Sequence, residues 1–189
     1  MAADIRRARD HALLDALDAF KRAPFAAPVW RVAREGRDPL QAAASRSRWC
    51  NGAFEVLYTS LARDGAVAEI HALLNLQPVF PSGMRWFIHK LRVAADKMLK
   101  FADLNTLARL GVDTARYDGR DYSRTQDIAD AAYFLGFDGL IAPSARWDCL
   151  NAVLFTERIQ PDQIAIHKSE VRAVDWGKWQ KGRGAKPAT

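Results

Sequence analysis

The amino-acid sequence predicts an α+β fold in a single domain, and three observations carry that reading. The chain has 189 residues, and at about 100–200 residues per domain one core is the simplest arrangement. Hydrophobic residues make up 49%, aromatic residues 10% and charged residues 26%, the composition of a globular chain and not of a disordered or fibrous one. Read in order, the pattern runs helix, strand, loop, strand, helix, strand, short helices and then several strands. That partial segregation favours α+β over a doubly wound parallel sheet.

Residues 4–22 read as an amphipathic helix: Leu13, Leu17 and Phe20 return at helical spacing while Arg6, Arg7, Asp10, Asp15 and Asp18 face elsewhere. Pro24 and Pro28 are expected to end it. Val29 to Ala33 is a short strand candidate. Residues 35–51, with Gly36, Pro39 and the run Ser45-Arg46-Ser47-Arg48, read as a loop with room for one helical turn. Phe54 to Leu61 is rich in β-branched and aromatic residues and reads as a strand. Asp64 is the expected N-cap of a helix carried by Val67, Ile70, Leu73 and Leu74 to about Asn75. Met84 to Val93 fits a strand. Asn105 to Leu110 is a short helix closed by Gly111. Ser123 and Gln126 have capping-box spacing and open a helix through Leu135, stopped at Gly136. Gly139–Ala142, Asn151–Thr156 and Gln163–Val171 complete the strands. The expected division is one domain over 1–175, helix 4–22 included, and a basic, frayed tail over 176–189.

Lys and Arg number 28 against 22 Asp and Glu, a net +6. Lys178, Lys181, Arg183 and Lys186 supply four of those charges within the tail. The pI near 9.6 therefore describes the tail more than the body and does not by itself argue for a nucleic-acid face. The 2 cysteines, Cys50 and Cys149, form no CxxC, and the histidines His11, His71, His89 and His167 show no ligand spacing, so no metal is expected. The N-terminus is charged throughout, without the apolar run of a signal peptide, and Pro78 and Pro81 break the longest uncharged stretch, so no membrane span is expected. A cytoplasmic protein is the default. No GxGxxG, Walker loop, HExxH or GxSxG occurs.

What remains is a set of short pieces in a fixed order: Trp30-Arg31, then Arg48-Trp49-Cys50-Asn51-Gly52, Leu57-Tyr58-Thr59-Ser60, Glu69, and Gly136 through Ser144 with Asn151. In that order and spacing they resemble the RES-domain family, named for its Arg, Glu and Ser residues, over about residues 30–166. Two positions depart from it: Ser47 stands where the family usually has Gly, and Val32 where it often has Tyr.

The resemblance implies an ADP-ribosyltransferase-like fold, with a mixed or antiparallel sheet and flanking helices. It implies the role of toxin in a bacterial toxin–antitoxin pair and an activity on NAD as co-substrate, with ADP-ribose passed to a protein, water or phosphate. It implies as partner an Xre-type helix-turn-helix antitoxin that occludes the site. Glu69 and Arg31 are then the expected catalytic residues, and Arg31, Arg48, Tyr58, Ser60, Ser144 and Asn151 the expected dinucleotide contacts.

The chemistry agrees with those residue types. Breaking the nicotinamide–ribose bond passes through an oxocarbenium-like state, which a carboxylate at Glu69 would stabilise. A pyrophosphate suits the planar guanidinium groups of Arg31 and Arg48. Tyr58 offers a stacking face, and Ser60 or Ser144 a hydroxyl to orient Glu69 or the ribose. The bland readings stay open on the residues alone: Glu69 as a solvent-facing helix residue, Arg31 paired with Asp38 or Glu55, Arg48 as a loop charge, Ser144 as a turn cap and Asn151 bonded to backbone. The competing function is a non-catalytic module contacting nucleic acid or a partner through helix 4–22 and the basic tail.

Overall fold

The computed structural model describes residues 9–184. The elements are α1 (His11–Asp18), β1 (Ala23–Arg34), β2 (Val56–Ser60), α2 (Arg63–Leu74), β3 (Trp86–Lys100), α3 (Leu104–Arg109), α4 (Ser123–Phe134), β4 (Gly139–Pro143), β5 (Leu150–Phe155), β6 (Ile164–Ser169) and α5 (Trp176–Gly184). The strand order is β1-β2-β5-β4-β3-β6, and β1 also pairs with β3. Five strands therefore close a ring, with β6 on the outer edge of β3. All the pairings are antiparallel except β3–β4, which makes the sheet mixed and the fold α+β, as expected.

The ring is unevenly zipped. β1 and β3 run together from Ala23↔Met98 to Arg34↔Trp86. β2 pairs with β5 over its whole length, Val56↔Phe155 to Ser60↔Asn151. β1 and β2 meet only at Trp30↔Ser60. Beyond that point they diverge, and a cleft opens along the seam.

Three apolar clusters hold the fold. One packs α1 and α4 on the sheet through Leu13, Leu17, Phe101, Ile128 and Phe137. A second sits between the strands, with Val29, Leu57, Leu91, Met98 and Leu154. The third sets α2 and α5 on β1 and β3 through Val32, Val67, Leu74, Ile88 and Trp176. Burying a side chain of this size contributes about 1.5–3 kcal/mol. α2 comes especially close to the sheet because Gly65 lacks a side chain. A Cβ there would collide with Ser60 Oγ and stand 2.5 Å from Cys149 Sγ.

Several expectations need correction. The described part of the first helix begins at His11, capped by Asp10, whose side chain accepts from Leu13 N; residues 4–8 of the expected helix 4–22 lie outside the described residues. The helix ends at Asp18, before the prolines, and Pro24 and Pro28 belong to β1. The edge of β1 facing away from β3 is unpaired there, so a missing N–H costs no ladder bond. β3 continues to Lys100 because β1 and then β4 supply partners. α2 opens after Ala62 without a side-chain cap, and Asp64 instead meets Arg63 at 3.2 Å. The capping box at α4 does not form: Ser123 Oγ donates to Asp121 at 2.6 Å, and Gln126 reaches out of the helix. The tail is not frayed over 176–184. Trp176 is buried, Trp179 lies 5.3 Å from Trp147, and Gln180 Nε2 is 3.1 Å from His71 Nε2, so α5 is docked on α2 and on the loop after β4. The last five residues, which include Lys186, lie outside the described residues.

Candidate active site

Glu69 stands near the middle of α2, on the side facing β5. Its Oε1 accepts from Ser144 Oγ at 2.7 Å and from Asn151 Nδ2 at 2.8 Å. Both bonds end on one oxygen, which leaves Oε2 to the cleft. Ser144 is itself held, since its Oγ accepts from the backbone N of Arg146 and Trp147 at 3.1 and 3.2 Å. It serves as turn cap and carboxylate anchor together. Asn151 is buried at the start of β5, and its Oδ1 is buried without a partner. A buried amide oxygen left unpaired costs about 1–3 kcal/mol, and a ligand hydroxyl or amide N–H would relieve that cost.

Arg31 lies on β1 just past the last β1–β2 contact. Its Nη1 donates to the Tyr58 carbonyl at 3.1 Å and its Nη2 to the Gln41 carbonyl at 3.0 Å. The guanidinium thus satisfies a β2 carbonyl for which β1 provides no ladder partner. No ion pair joins it to Asp38 or Glu55 among the described residues, although Asp38 is near enough to favour its charge. Burial is the larger influence and pulls the guanidinium down to about 10, so it stays charged at neutral pH. Nε is buried and unpartnered. Two of its five N–H groups are engaged. His89, the cross-strand partner of Arg31, is held below its ordinary imidazole value, first by burial and then by the Arg31 charge, with Asp38 opposing. Its Nδ1 lies 2.7 Å from Ser169 Oγ.

Arg48 crosses to the segment between α3 and α4. It donates to the Gly119 carbonyl at 3.3 Å and lies over the rings of Tyr117 and Tyr122, at 4.5 and 4.9 Å from their centroids. The loop that carries it is fixed from two sides. Tyr58 Oη accepts from Trp49 N at 2.7 Å and shares a 2.8 Å hydrogen bond with Ser47 Oγ. Gln126 Nε2 donates to the carbonyls of Ser47 and Cys50 at 2.8 and 3.1 Å. The Tyr58 hydroxyl is accordingly buried in this network, and burial pushes its pKa up. The departure at Ser47 therefore has a physical use, because its hydroxyl joins the loop to β2. At the other departure, Val32 is core.

One cleft of about 500 Å³ brings Arg31, Arg48, Tyr58, Ser60, Glu69 and Asn151 together. Ser144 lies behind it, reaching in only through Glu69. Of the two hydroxyls offered to orient Glu69 or the ribose, Ser144 bonds the carboxylate, whereas the Ser60 hydroxyl faces Cys149 Sγ at 3.3 Å and accepts from Ala62 N at 3.3 Å. Asn151, the cross-strand neighbour of Ser60, supplies the carboxylate's other bond. Sequence reasoning missed three more arginines on the cleft, Arg46, Arg120 and Arg146. It also missed Gln126, which was read as part of a capping box, and Tyr117, which no sequence pattern singled out. Five guanidinium groups face one carboxylate, and a charged cleft with apolar walls focuses such a field on an anionic ligand.

Residues 28–176 match the RES domain model, and this chain belongs to that family. Its fold is similar to that of a chain in the crystal structure of the M. tuberculosis MbcT–MbcA toxin–antitoxin complex. The TM-score is 0.80 at 20% identity, covering 94% of this chain and 100% of the other. No curated protein matches the sequence. No helix among the described residues is long and apolar enough to cross a membrane.

Proposed function

We propose that this chain is the toxin of a toxin–antitoxin pair and that it consumes NAD by cleaving the nicotinamide–ribose bond. The observation that carries the reading is Glu69, a carboxylate anchored through one oxygen with its other oxygen facing a cleft lined by guanidinium groups. The cleft fits the dinucleotide in chemistry as well as in charge. It offers an orphaned buried acceptor on Asn151, an orphaned buried donor on Arg31, and a volume within the ordinary range for ligand sites.

In this reading Glu69 stabilises the positive charge that develops on the ribose as nicotinamide departs, and holds a ribose hydroxyl. The two anchoring bonds fix the carboxylate before substrate arrives, so its orientation costs nothing at the moment of reaction. Arg31 and Arg48 hold the pyrophosphate, Arg48 in a position set by its two tyrosine rings. Tyr58 lends its ring to the cleft wall. Asn151 supplies its free amide oxygen to the ribose or to the carboxamide. Nicotinamide leaves as a neutral base, so no strong general acid is needed.

An antitoxin of the helix-turn-helix type would inhibit by occupying the cleft. Support for a partner comes from the family and from the complex in which the structural neighbour was crystallised. The competing module reading loses its basis in a loose basic tail, since residues 176–184 are docked. The test is incubation with NAD labelled on the adenine side, with and without cell lysate. Nicotinamide release with label in small molecules means breakdown; label on a protein band means transfer. NAD intact after prolonged incubation with equimolar folded protein would overturn the reading.

A further inference from the structure

We infer that the cleft accepts a third phosphate and that NADP is a substrate at least equal to NAD; this deepens the proposed activity and rests on it. The argument is one of charge matching. NAD presents two phosphate charges, to which Arg31 and Arg48 are matched above. Arg46, Arg120 and Arg146 remain on the cleft wall; Arg146 belongs to the Ser144 turn that anchors Glu69, which leaves Arg46 and Arg120 as candidates for a further phosphate. Neither side chain has a hydrogen-bond or ion-pair partner among the described residues, whereas Arg31 and Arg48 are both bonded to carbonyls. Both Arg46 and Arg120 are exposed, and both line the cleft. Arg46 is two residues before Arg48, and Arg120 follows Gly119, the residue whose carbonyl Arg48 bonds. The Arg48–Gly119 bond therefore joins the two chain segments that carry them, and both residues line the cleft. Glu69, Ser60 and Asn151 line the same cleft, and of these Ser60 and Asn151 are buried.

In this proposal a dinucleotide bound with its nicotinamide ribose at Glu69 extends its adenosine along the cleft to Arg46 and Arg120. A 2′-phosphate on the adenosine ribose adds about −1.5 to −2 charge where two unpaired cations stand. Planar guanidinium groups bind phosphate with charge-assisted hydrogen bonds. The reaction itself is unchanged. The ribose C1′–N bond breaks, its electron pair leaves with nicotinamide, and with water as nucleophile a C1′–O bond forms and one proton is released, giving 2′-phospho-ADP-ribose.

The experiment compares kcat/KM for NAD and NADP in the full chain and in R46Q, R120Q and the double variant. At these exposed positions the substitutions leave the core untouched. The expected result is NADP turned over at least as well as NAD. The double variant should lose about tenfold or more on NADP, about 1.4 kcal/mol per tenfold, while NAD stays within about threefold. An equal fall on both substrates, abolished together by salt, marks general steering and overturns the inference. So does a wild-type preference for NAD of about tenfold or more. Calorimetry with 2′-AMP, 3′-AMP and inorganic phosphate gives a readout that needs no turnover. Binding of 2′-AMP that is tighter than either control and lost in the double variant supports the site even if neither dinucleotide is consumed, in which case the activity alone is wrong. Equal binding of inorganic phosphate marks a bare anion site and overturns it.

Discussion

Replacing Glu69 by Gln removes a charge while leaving the hydrogen-bond frame in place. The amide oxygen can still accept from Ser144 Oγ and Asn151 Nδ2, the two bonds of 2.7 and 2.8 Å that fix the carboxylate. The electrostatic loss can be worked out. A full charge at about 4 Å from a developing ribose cation is worth about 4 kcal/mol at an effective dielectric of about 20. Glu69 is half-buried and its cleft is open to water, so about 2–3 kcal/mol is the fair expectation, or about 30- to 150-fold in kcat. That sits at the lower end of what removing a preorganised electrostatic group costs. The assay is nicotinamide release under saturating NAD, with KM measured alongside. The loss should fall on kcat with KM nearly unchanged, because the charge acts in the transition state. Glu69→Ala separates chemistry from folding. It leaves two donors without an acceptor, one of them on buried Asn151, at about 1–3 kcal/mol, which is about 2–10 °C in Tm for a chain of this length. Gln should show the same catalytic loss with Tm unchanged. A folded Glu69→Gln protein keeping kcat within about threefold of wild type would refute the electrostatic role.

Other expectations follow from the same geometry. Arg31→Met strips the Tyr58 and Gln41 carbonyls of a charged donor and should lower stability by about 1–3 kcal/mol while raising KM for NAD; calorimetry with unchanged Tm would show the seam does not depend on it. Gly65→Ala puts a methyl against Ser60 and Cys149 and should push α2 off the sheet, costing about 1–3 kcal/mol and, through displaced Glu69, up to about 100-fold in kcat; wild-type kinetics would contradict the close approach. Tyr58→Phe unties the loop carrying Arg48 and should raise KM more than it lowers kcat, read by steady-state kinetics. His89 gives a pH dependence of definite sign. Its folded-state pKa lies below the ordinary 6.5, so the unfolded chain takes up the proton first. The corresponding stability is complete above 6.5 and is lost as pH falls through 6.5 toward the lower folded value. Tm should drop less for His89→Gln than for wild type between about pH 7.5 and 5.5, and parallel curves would dismiss the effect.

Much of this was legible in the residues. β2, α2, α4, β4 and β5 announce themselves by periodicity and by Gly136 and Gly111 at helix ends. The failures share one cause, which is that tertiary partners override local preference. Pro24 and Pro28 look like breakers, yet one edge of β1 has no need of their N–H. Residues 94–100 carry little strand propensity and become strand because β1 and β4 flank them. Gly177 and Gly182 argue against a helix at 176–184, but Trp176 and Trp179 find packing that outweighs them. At the site, Glu69, Asn151 and Ser144 were found as residue types in a pattern. The residues alone left both Ser60 and Ser144 open as hydroxyls for Glu69 or the ribose, and the choice between them depends on how α2 sits against β2 and the β4–β5 turn. The rim arginines were missed because an arginine in a loop carries no periodic signal; only the folding of residues 117–122 onto the 45–48 loop makes a wall of them.

Where β1 and β2 part, backbone that would ordinarily bond to itself is spanned by the reach of a single side chain. The width of that opening is therefore set by three methylenes and a planar head rather than by the sheet. Shortening or flattening that arm would change which molecules enter as well as how tightly they are gripped, so selectivity and architecture in this protein are tuned by the same handful of atoms.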